Sequence, residues 1–242
     1  MINFIKKLLI LNFFLFFSSP LLGFSSSDFL ISQSAFKNHD YLVALSSFNL
    51  NEIRQPNTNL TDSLISSIIT EDIDLANKIA SEIFSKDNEN QEAYIVKLVY
   101  LYSKNKFSKI KEIHKNLKVK NELVDFIFFN NNELKDNKTI SKALVDIVAS
   151  SFSNTEQRSL NYNFLLFYTS LAKIIDDQND RATLVKGELY QNVQQSKVAE
   201  ETFLIIQPNS PYFIDAQISL AVNYSNFLSY DEAQKKIKTL LN

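Results

Sequence analysis

Cysteine is absent from the 242 residues of this chain, and glycine occurs only 2 times and proline 4 times. Without cysteine the chain has no disulfide framework, no cysteine-based metal site and no lipid-anchoring cysteine. So few glycines argue against sandwiches, nucleotide-binding loops and other turn-dense β folds, which need glycine where φ is positive. The same scarcity suits an array of helices joined by short turns.

The chain also lacks an excess of either charge. Its 25 basic and 27 acidic side chains are interspersed and give a net charge of −2. Nucleic acid is therefore not an expected partner. The one basic segment, 104–120, is interpreted as a solvated helix face, with a contact surface for an acidic peptide or an anionic lipid as the alternative. Hydrophobic residues make up 45%, and the 20 Phe and 10 Tyr predict a core rich in aromatic rings.

Residues 1–27 have the pattern of a secretory signal. Lys6 and Lys7 precede an apolar run that ends at Leu22, and Gly23 and Ser25 form a small-x-small site. This pattern predicts cleavage after Ser25 and export to the periplasm or cell envelope. The run is shorter than the roughly 20 residues of a spanning helix. An uncleaved membrane anchor is the alternative.

The remainder, 28–242, predicts an all-α protein of at least ten helices and no β-sheet. Polar turns separate amphipathic stretches, which is the pattern of helices packed on one another. Helices are predicted at Asp28–Lys37, Tyr41–Leu50, Asn59–Ile69, Ile73–Ser85, Glu92–Lys104, Phe107–Leu117, Leu123–Asn130, Ile140–Ser151, Leu160–Asp176, Thr183–Asn192, around Ala199, Phe213–Asn226 and Tyr230–Leu241.

A small or apolar residue recurs at a nearly constant spacing in every second helix. Ala44 to Ala76 is 32 residues, Ala76 to Ile110 is 34, and Ala199 to Ala233 is again 34. The interval from Ile110 to Ala199 does not fit this period. Regular helix pairs are therefore predicted at 28–119 and 182–242, with a degenerate middle at 120–181.

The recurring pattern resembles the tetratricopeptide repeat family, whose period is about 34 residues. Two antiparallel helices approach closely only where the crossing residues are small, and aromatic rings then fill the space beside them. The matching residues are Tyr41, Ala44, Phe48 and Pro56 in the first unit, Gly187, Tyr190, Ala199, Phe203 and Pro208 near the end, and Ala221, Tyr224, Tyr230, Ala233 and Ile237 in the last unit. The resemblance implies an α-solenoid with a right-handed superhelix.

The resemblance also implies a function. Such a protein is expected to be a non-enzymatic scaffold that binds a peptide or protein on the concave face of its first helices. Positions on those helices that point away from the second helices are the candidates for partner contact: Tyr94, Lys97, Tyr102, Asn161, Tyr168, Gln217 and Asn223. No cofactor or metal is expected.

An all-α enzyme is the alternative of a different class. Asp176, Asp177 and Asp180 match the aspartate-rich Mg²⁺-diphosphate motif of prenyl and terpene synthases, because carboxylates at this spacing can hold Mg²⁺. A solvated turn at the end of a helix is the preferred interpretation, because the chain has no second aspartate-rich motif, is short for that fold and has Asn179 at a position that favours a turn. His39 and His114 lack the neighbouring ligands of a zinc site.

The last helix is expected to leave one side without a neighbour. Solenoids need a terminal cap with a polar outer face. The C-terminal edge, with Ile237, Leu240 and Leu241 beside Lys235, Lys236 and Lys238, is therefore predicted to be an association surface or the start of further repeats.

Overall fold

The computed structural model describes residues 26–46, 60–116, 121–131, 133–154 and 161–240. Residues 1–25 of the predicted signal lie outside these ranges, as do Phe48, Pro56 and Leu241, whereas Ser26 and Ser27 belong to the first described helix. Within the described ranges, no helix combines the length and hydrophobicity needed to cross a bilayer.

The described part of the chain is all-α, with 13 helices. In chain order they are α1 Ser26–Lys37, α2 Tyr41–Ser46, α3 Leu60–Ile69, α4 Ile73–Lys86, α5 Gln91–Ser103, α6 Phe107–Asn116, α7 Glu122–Phe128, α8 Asn137–Asn154, α9 Tyr162–Ile175, α10 Asp180–Asn192, α11 Ser196–Phe203, α12 Phe213–Phe227 and α13 Tyr230–Leu240.

The prediction of no β-sheet is wrong at one point. Strand β1, Phe129–Asn130, pairs antiparallel with β2, Glu133–Leu134, so the helix predicted to reach Asn130 ends at Phe128. Asn131, at the tip of this hairpin, has a φ of 50°. Asparagine tolerates this left-handed conformation because its short polar side chain can bond locally.

Side chains fix where several helices begin. The carboxylate of Asp72 accepts a hydrogen bond from the Leu75 N–H at 3.0 Å and caps the start of α4. Asn90, Asn121 and Asn179 cap α5, α7 and α10 through the same contact. These residues satisfy backbone donors that the first turn of a helix leaves free.

Four turns between consecutive helices share one backbone geometry. They join α1 to α2, α3 to α4, α5 to α6 and α10 to α11. His39, Glu71, Asn105 and Gln194 each have a φ between 56° and 63°. In each turn the next residue's N–H donates back to the last turn of the first helix, for example Asp72 to the Ser67 carbonyl at 2.8 Å. This is the Schellman arrangement that ends helices. The buried residues Ala44, Ala76, Ile110 and Ala199 each lie five positions further on.

The small residues predicted at helix crossings are inside the fold. Ala44, Ala76, Ala199 and Ala233 are all buried, which confirms their predicted placement. Ala221 is only half-buried, and Ala216 is the fully buried small residue of α12.

Helix α9 departs from a strictly sequential array. It packs on its chain neighbours α8 and α10, and also on α3 and α5, which lie far earlier in the chain. From Leu165 to Ala172 every residue of α9 is buried. A helix that is hydrophobic on all sides lies in the core. Thus α9 covers a face of the N-terminal helices that a simple repeat array leaves open.

Polar contacts tie these distant parts together. Asn163 of α9 accepts a hydrogen bond from the Tyr41 hydroxyl at 2.8 Å, and its Oδ1 lies 2.8 Å from His39 Nδ1. Lys186 of α10 lies 2.8 Å from the Glu71 carboxylate in the turn after α3. The C-terminal helices α10–α13 extend from this joined block.

Candidate functional site

Helices α10 and α12 lie side by side and leave a groove between them. Its volume is about 290 Å³. Three residues of α10 and three of α12 line it: Glu188, Gln191, Asn192, Ile218, Ser219 and Val222. This volume is near the lower limit of about 300 Å³ for small-ligand sites. The groove therefore has room for one or two side chains.

Helix α12 has two apolar faces and only one is covered. Ala216, Leu220 and Tyr224 are buried against the fold at helical spacing. On the opposite side, Ile214, Ile218 and Val222 are 66%, 58% and 46% exposed. They recur every four residues and so form one stripe along the helix. Surface helices normally carry a polar outer face, so this stripe is an uncovered apolar surface beside the groove.

A polar group in the groove wall lacks a partner. The side-chain nitrogen of Gln191 is shielded from solvent and forms no hydrogen bond within the described part of the protein. Leaving a shielded donor unpaired costs roughly 1–3 kcal/mol. An acceptor placed in the groove would remove this cost.

The groove is acidic. Burial raises the pKa of the Glu188 carboxyl above its usual value, and the negative charge of Asp215 on α12 raises it further. The basic residues of α10 are engaged elsewhere, since Arg181 pairs with Asp146 and Lys186 with Glu71. Among the described residues, neither Glu188 nor Asp215 has a salt-bridge partner.

The three residues of α5 predicted to contact a partner form contacts within the fold. Tyr94 is buried, and its hydroxyl lies 3.3 Å from His114 Nδ1. Tyr102 is buried and donates to the Lys135 carbonyl at 2.9 Å. The half-buried Lys97 donates to Ser81 Oγ at 3.1 Å and lies over the ring of Phe84. Tyr94 and Tyr102 thus present almost no surface to a partner.

The two sites predicted on α9 are also placed by the fold. Asn161 is exposed and caps the start of α9. Tyr168 is buried, and burial together with the charge of Glu92 raises its pKa to about 12. Its hydroxyl is therefore shielded by the packing of α9 on α5.

The two residues of α12 predicted to contact a partner lie on this helix but do not line the groove. Gln217 is half-buried. Asn223 is buried and donates to the Ser196 carbonyl at 2.9 Å. None of the seven predicted residues lines the groove, and partner contact at any of them stays a prediction. The sequence does show that Ile214, Ile218 and Val222 recur every four residues, but this spacing does not tell an exposed face of α12 from a buried one.

Asp176, Asp177 and Asp180 lie at the turn between α9 and α10, as the interpretation of a turn at the end of a helix predicted. Asp176 ends α9, Asp177 belongs to the turn, and Asp180 begins α10. Asp176 accepts the Gln178 N–H at 3.2 Å. Within the described ranges, no group of three or more His, Cys, Asp or Glu side chains is arranged to hold a metal ion.

A larger cavity, of about 610 Å³, lies where α5 and α6 meet the hairpin. Three of its polar residues already have partners within the fold. Lys135 donates to the Phe126 carbonyl, Tyr102 donates to the Lys135 carbonyl, and Asp136 caps α8 through Thr139. The α10–α12 groove, with its free amide and uncovered stripe, is the stronger candidate.

No protein-family model matches the chain, and no curated protein or solved structure is significantly similar to it. The groove must therefore be interpreted from its own chemistry.

Proposed function

We propose that this protein is an exported, non-enzymatic scaffold of the bacterial cell envelope that binds a segment of a partner protein in the α10–α12 groove. The observation that carries the proposal is the exposed stripe of Ile214, Ile218 and Val222 beside that groove. Apolar side chains aligned on one helix face typically mark an interaction site. The tetratricopeptide-like superhelix belongs to the same proposal.

The repeated unit supports a scaffold. Four turns of the same geometry place a buried residue at the same offset in each second helix. Stacked helix pairs of this kind present extended surfaces on their first helices. In the N-terminal half, α9 packs on two of those helices, α3 and α5. In the C-terminal half, the surface between α10 and α12 is open.

Site-specific photocrosslinking in the producing cells tests the binding surface. A photoreactive residue at Ser219, in the groove, should give a discrete crosslinked product with one partner protein. The same residue at Glu201, on the exposed side of α11, is the matched control. The product should disappear when Ile214 and Ile218 are both changed to Asn. Equal crosslinking at both positions, or none at Ser219, would contradict the proposal.

Mass spectrometry of the N-terminus tests the location. A chain that begins at Ser26 in the periplasmic fraction is the expected result. An intact Met1 in the membrane fraction would favour the anchored alternative. A chain confined to the cytosol would contradict export.

A further inference from the structure

We propose that the bound segment presents a lysine or arginine beside an aliphatic side chain. This inference rests on the proposed function and adds to it the chemistry of the partner. The groove offers three kinds of contact: the Glu188 carboxylate, with the negative charge of Asp215 acting on it, an aliphatic stripe along one edge, and a shielded amide donor. Each selects a different part of the ligand.

The carboxylates select positive charge. Glu188 lines the groove. Burial raises the pKa of its carboxyl most, and the negative charge of Asp215 on α12 raises it further. Among the described residues, neither carboxylate has a salt-bridge partner. A cationic side chain placed in the groove would form a charge-assisted hydrogen bond with the Glu188 carboxylate and would also be attracted by the negative charge of Asp215. An acidic segment, a phosphate group or an anionic membrane surface would meet the same two charges with repulsion.

The stripe selects an aliphatic neighbour. Ile214, Ile218 and Val222 are branched aliphatic residues, and α12 carries no charged side chain except Asp215. An aliphatic side chain of the ligand would bury these residues at about 25 cal/mol per Å². Charge alone would give little affinity, because exposed ion pairs contribute about 0–1 kcal/mol.

The Gln191 amide selects an acceptor. Its nitrogen is shielded and unpaired in the groove wall. A backbone carbonyl of an extended segment is an acceptor of the right kind, because an extended chain leaves its carbonyls free. A segment that lies in the groove thus satisfies the amide and places alternate side chains on the carboxylates and on the stripe.

Three matched peptides test the inference. Each has nine residues with a central pair of leucines, flanked by lysine, by glutamine or by glutamate. Fluorescence anisotropy with the purified protein should show affinities in the order lysine, glutamine, glutamate. The double variant Glu188→Gln/Asp215→Asn should lose about three- to tenfold in affinity for the lysine peptide and bind all three alike. Added salt should weaken only the lysine peptide.

A matched control removes equal charge elsewhere. Glu201 and Asp231 are exposed carboxylates on α11 and α13. The variant Glu201→Gln/Asp231→Asn should retain the full preference for lysine. If it loses the preference to the same extent, long-range charge and not the groove is responsible, and the inference is overturned.

Two further results separate this inference from the proposed function. If Ile214→Asn/Ile218→Asn abolishes binding but the three peptides bind equally, the function stands and the charge selection fails. If that variant binds every peptide as well as the parent does, or if none of the peptides binds, both fail. Self-association through the stripe, seen as a concentration-dependent dimer that this variant abolishes, would identify a second copy as the occupant and overturn the inference.

Discussion

The ring of Phe203 lies directly against the backbone of Gly187, where α11 crosses α10. A Cβ atom added at Gly187 would be 2.4 Å from Phe203 Cε1, closer than any real contact allows. Phe203 is fully buried and has no room to withdraw. Glycine therefore serves here to let two helices approach, and its φ is unremarkable.

Gly187→Ala should destabilise the fold by about 1–2 kcal/mol. Alanine is worth up to about 1 kcal/mol more than glycine in a helix, but overpacking of a tight crossing costs typically 1–3 kcal/mol and outweighs it. Urea unfolding measures the difference. In a Phe203→Leu background the same change should cost much less, because the ring is gone. Equal losses in both backgrounds would show that the ring is not the cause.

Glu188→Gln should stabilise the protein slightly at neutral pH. The folded-state pKa of Glu188 is raised, chiefly by burial, so folding favours its neutral form. Its contribution to stability is full below the ordinary pKa of about 4.3 and is lost as pH rises through the folded value. Because the side chain is partly exposed, the gain at pH 7 should be only a few tenths of a kcal/mol.

The difference between the Gln variant and the parent protein should disappear near pH 3, where both side chains are neutral. Thermal unfolding at both pH values measures it, with Glu201→Gln as the control. A loss of stability at pH 7 would show that the Glu188 charge has a favourable partner. A residue that weakens the fold while serving a ligand is the usual compromise of binding sites.

At the scale of the element, the shared turn between helices explains why the chain needs so few glycines. His39, Glu71, Asn105 and Gln194 adopt the left-handed conformation that glycine normally supplies at this position. For each of these residues, this conformation costs about 1–2 kcal/mol of stability. Glycine loses more conformational entropy on folding, so part of this difference cancels.

Gln194→Gly should therefore raise stability by about 0.5–1 kcal/mol. Gln194 is exposed, so the substitution isolates the backbone effect. Lys197→Gly, an exposed position inside α11, is the matched control and should cost up to about 1 kcal/mol. Chemical denaturation of the two variants gives the comparison. A loss at residue 194 would mean that the side chain stabilises the turn.

Most helix boundaries follow from local chemistry and were accessible from the sequence. The prediction Ile73–Ser85 is within one residue of the observed α4, because Asp72 caps its start. The hairpin at Phe129–Leu134 was missed because two-residue strands leave no alternating pattern to detect. The groove was missed because Ile214, Ile218 and Val222 resemble core positions, and only the fold shows which face of α12 is covered.

At the scale of the molecule, the position of α9 was not predictable from a repeat period. A period describes contacts between neighbours in the chain, whereas α9 packs on α3 and α5, which are separated from it along the chain by several other helices. Its charge-free run from Phe164 to Ala172 is the sequence feature that fits a central helix. This packing is also why Tyr168 is buried instead of exposed on an inner face.

The two side chains of the Lys186–Glu71 ion pair, which joins α10 to the turn after α3, differ in their exposure to solvent. Lys186 has a side chain only 10% exposed, whereas Glu71 is 55% exposed. Glu71→Gln should cost about 1–3 kcal/mol, because it leaves a shielded ammonium without its counter-charge. Lys186→Met should cost less, because it removes the shielded charge and leaves Glu71 to water.

Thermal unfolding of the two variants tests this order. Glu82→Gln breaks the exposed Lys86–Glu82 contact on α4 and should change stability by less than about 0.5 kcal/mol. A larger loss for Lys186→Met than for Glu71→Gln would show that the stem of Lys186, and not its charge, stabilises the joint.

The central place of α9 also sets the order in which the chain can acquire its structure. Tyr41 and Asn163 bond across 122 residues, and Glu71 and Lys186 across 115. In a sequential array, folding begins in any repeat and spreads to the next. Here the apolar faces of α3 and α5 remain uncovered until α9, which lies much later in the chain, has formed. Such distant closure slows folding. If the chain is exported N-terminus first, as proposed, the apolar faces of the early helices stay uncovered until α9 emerges.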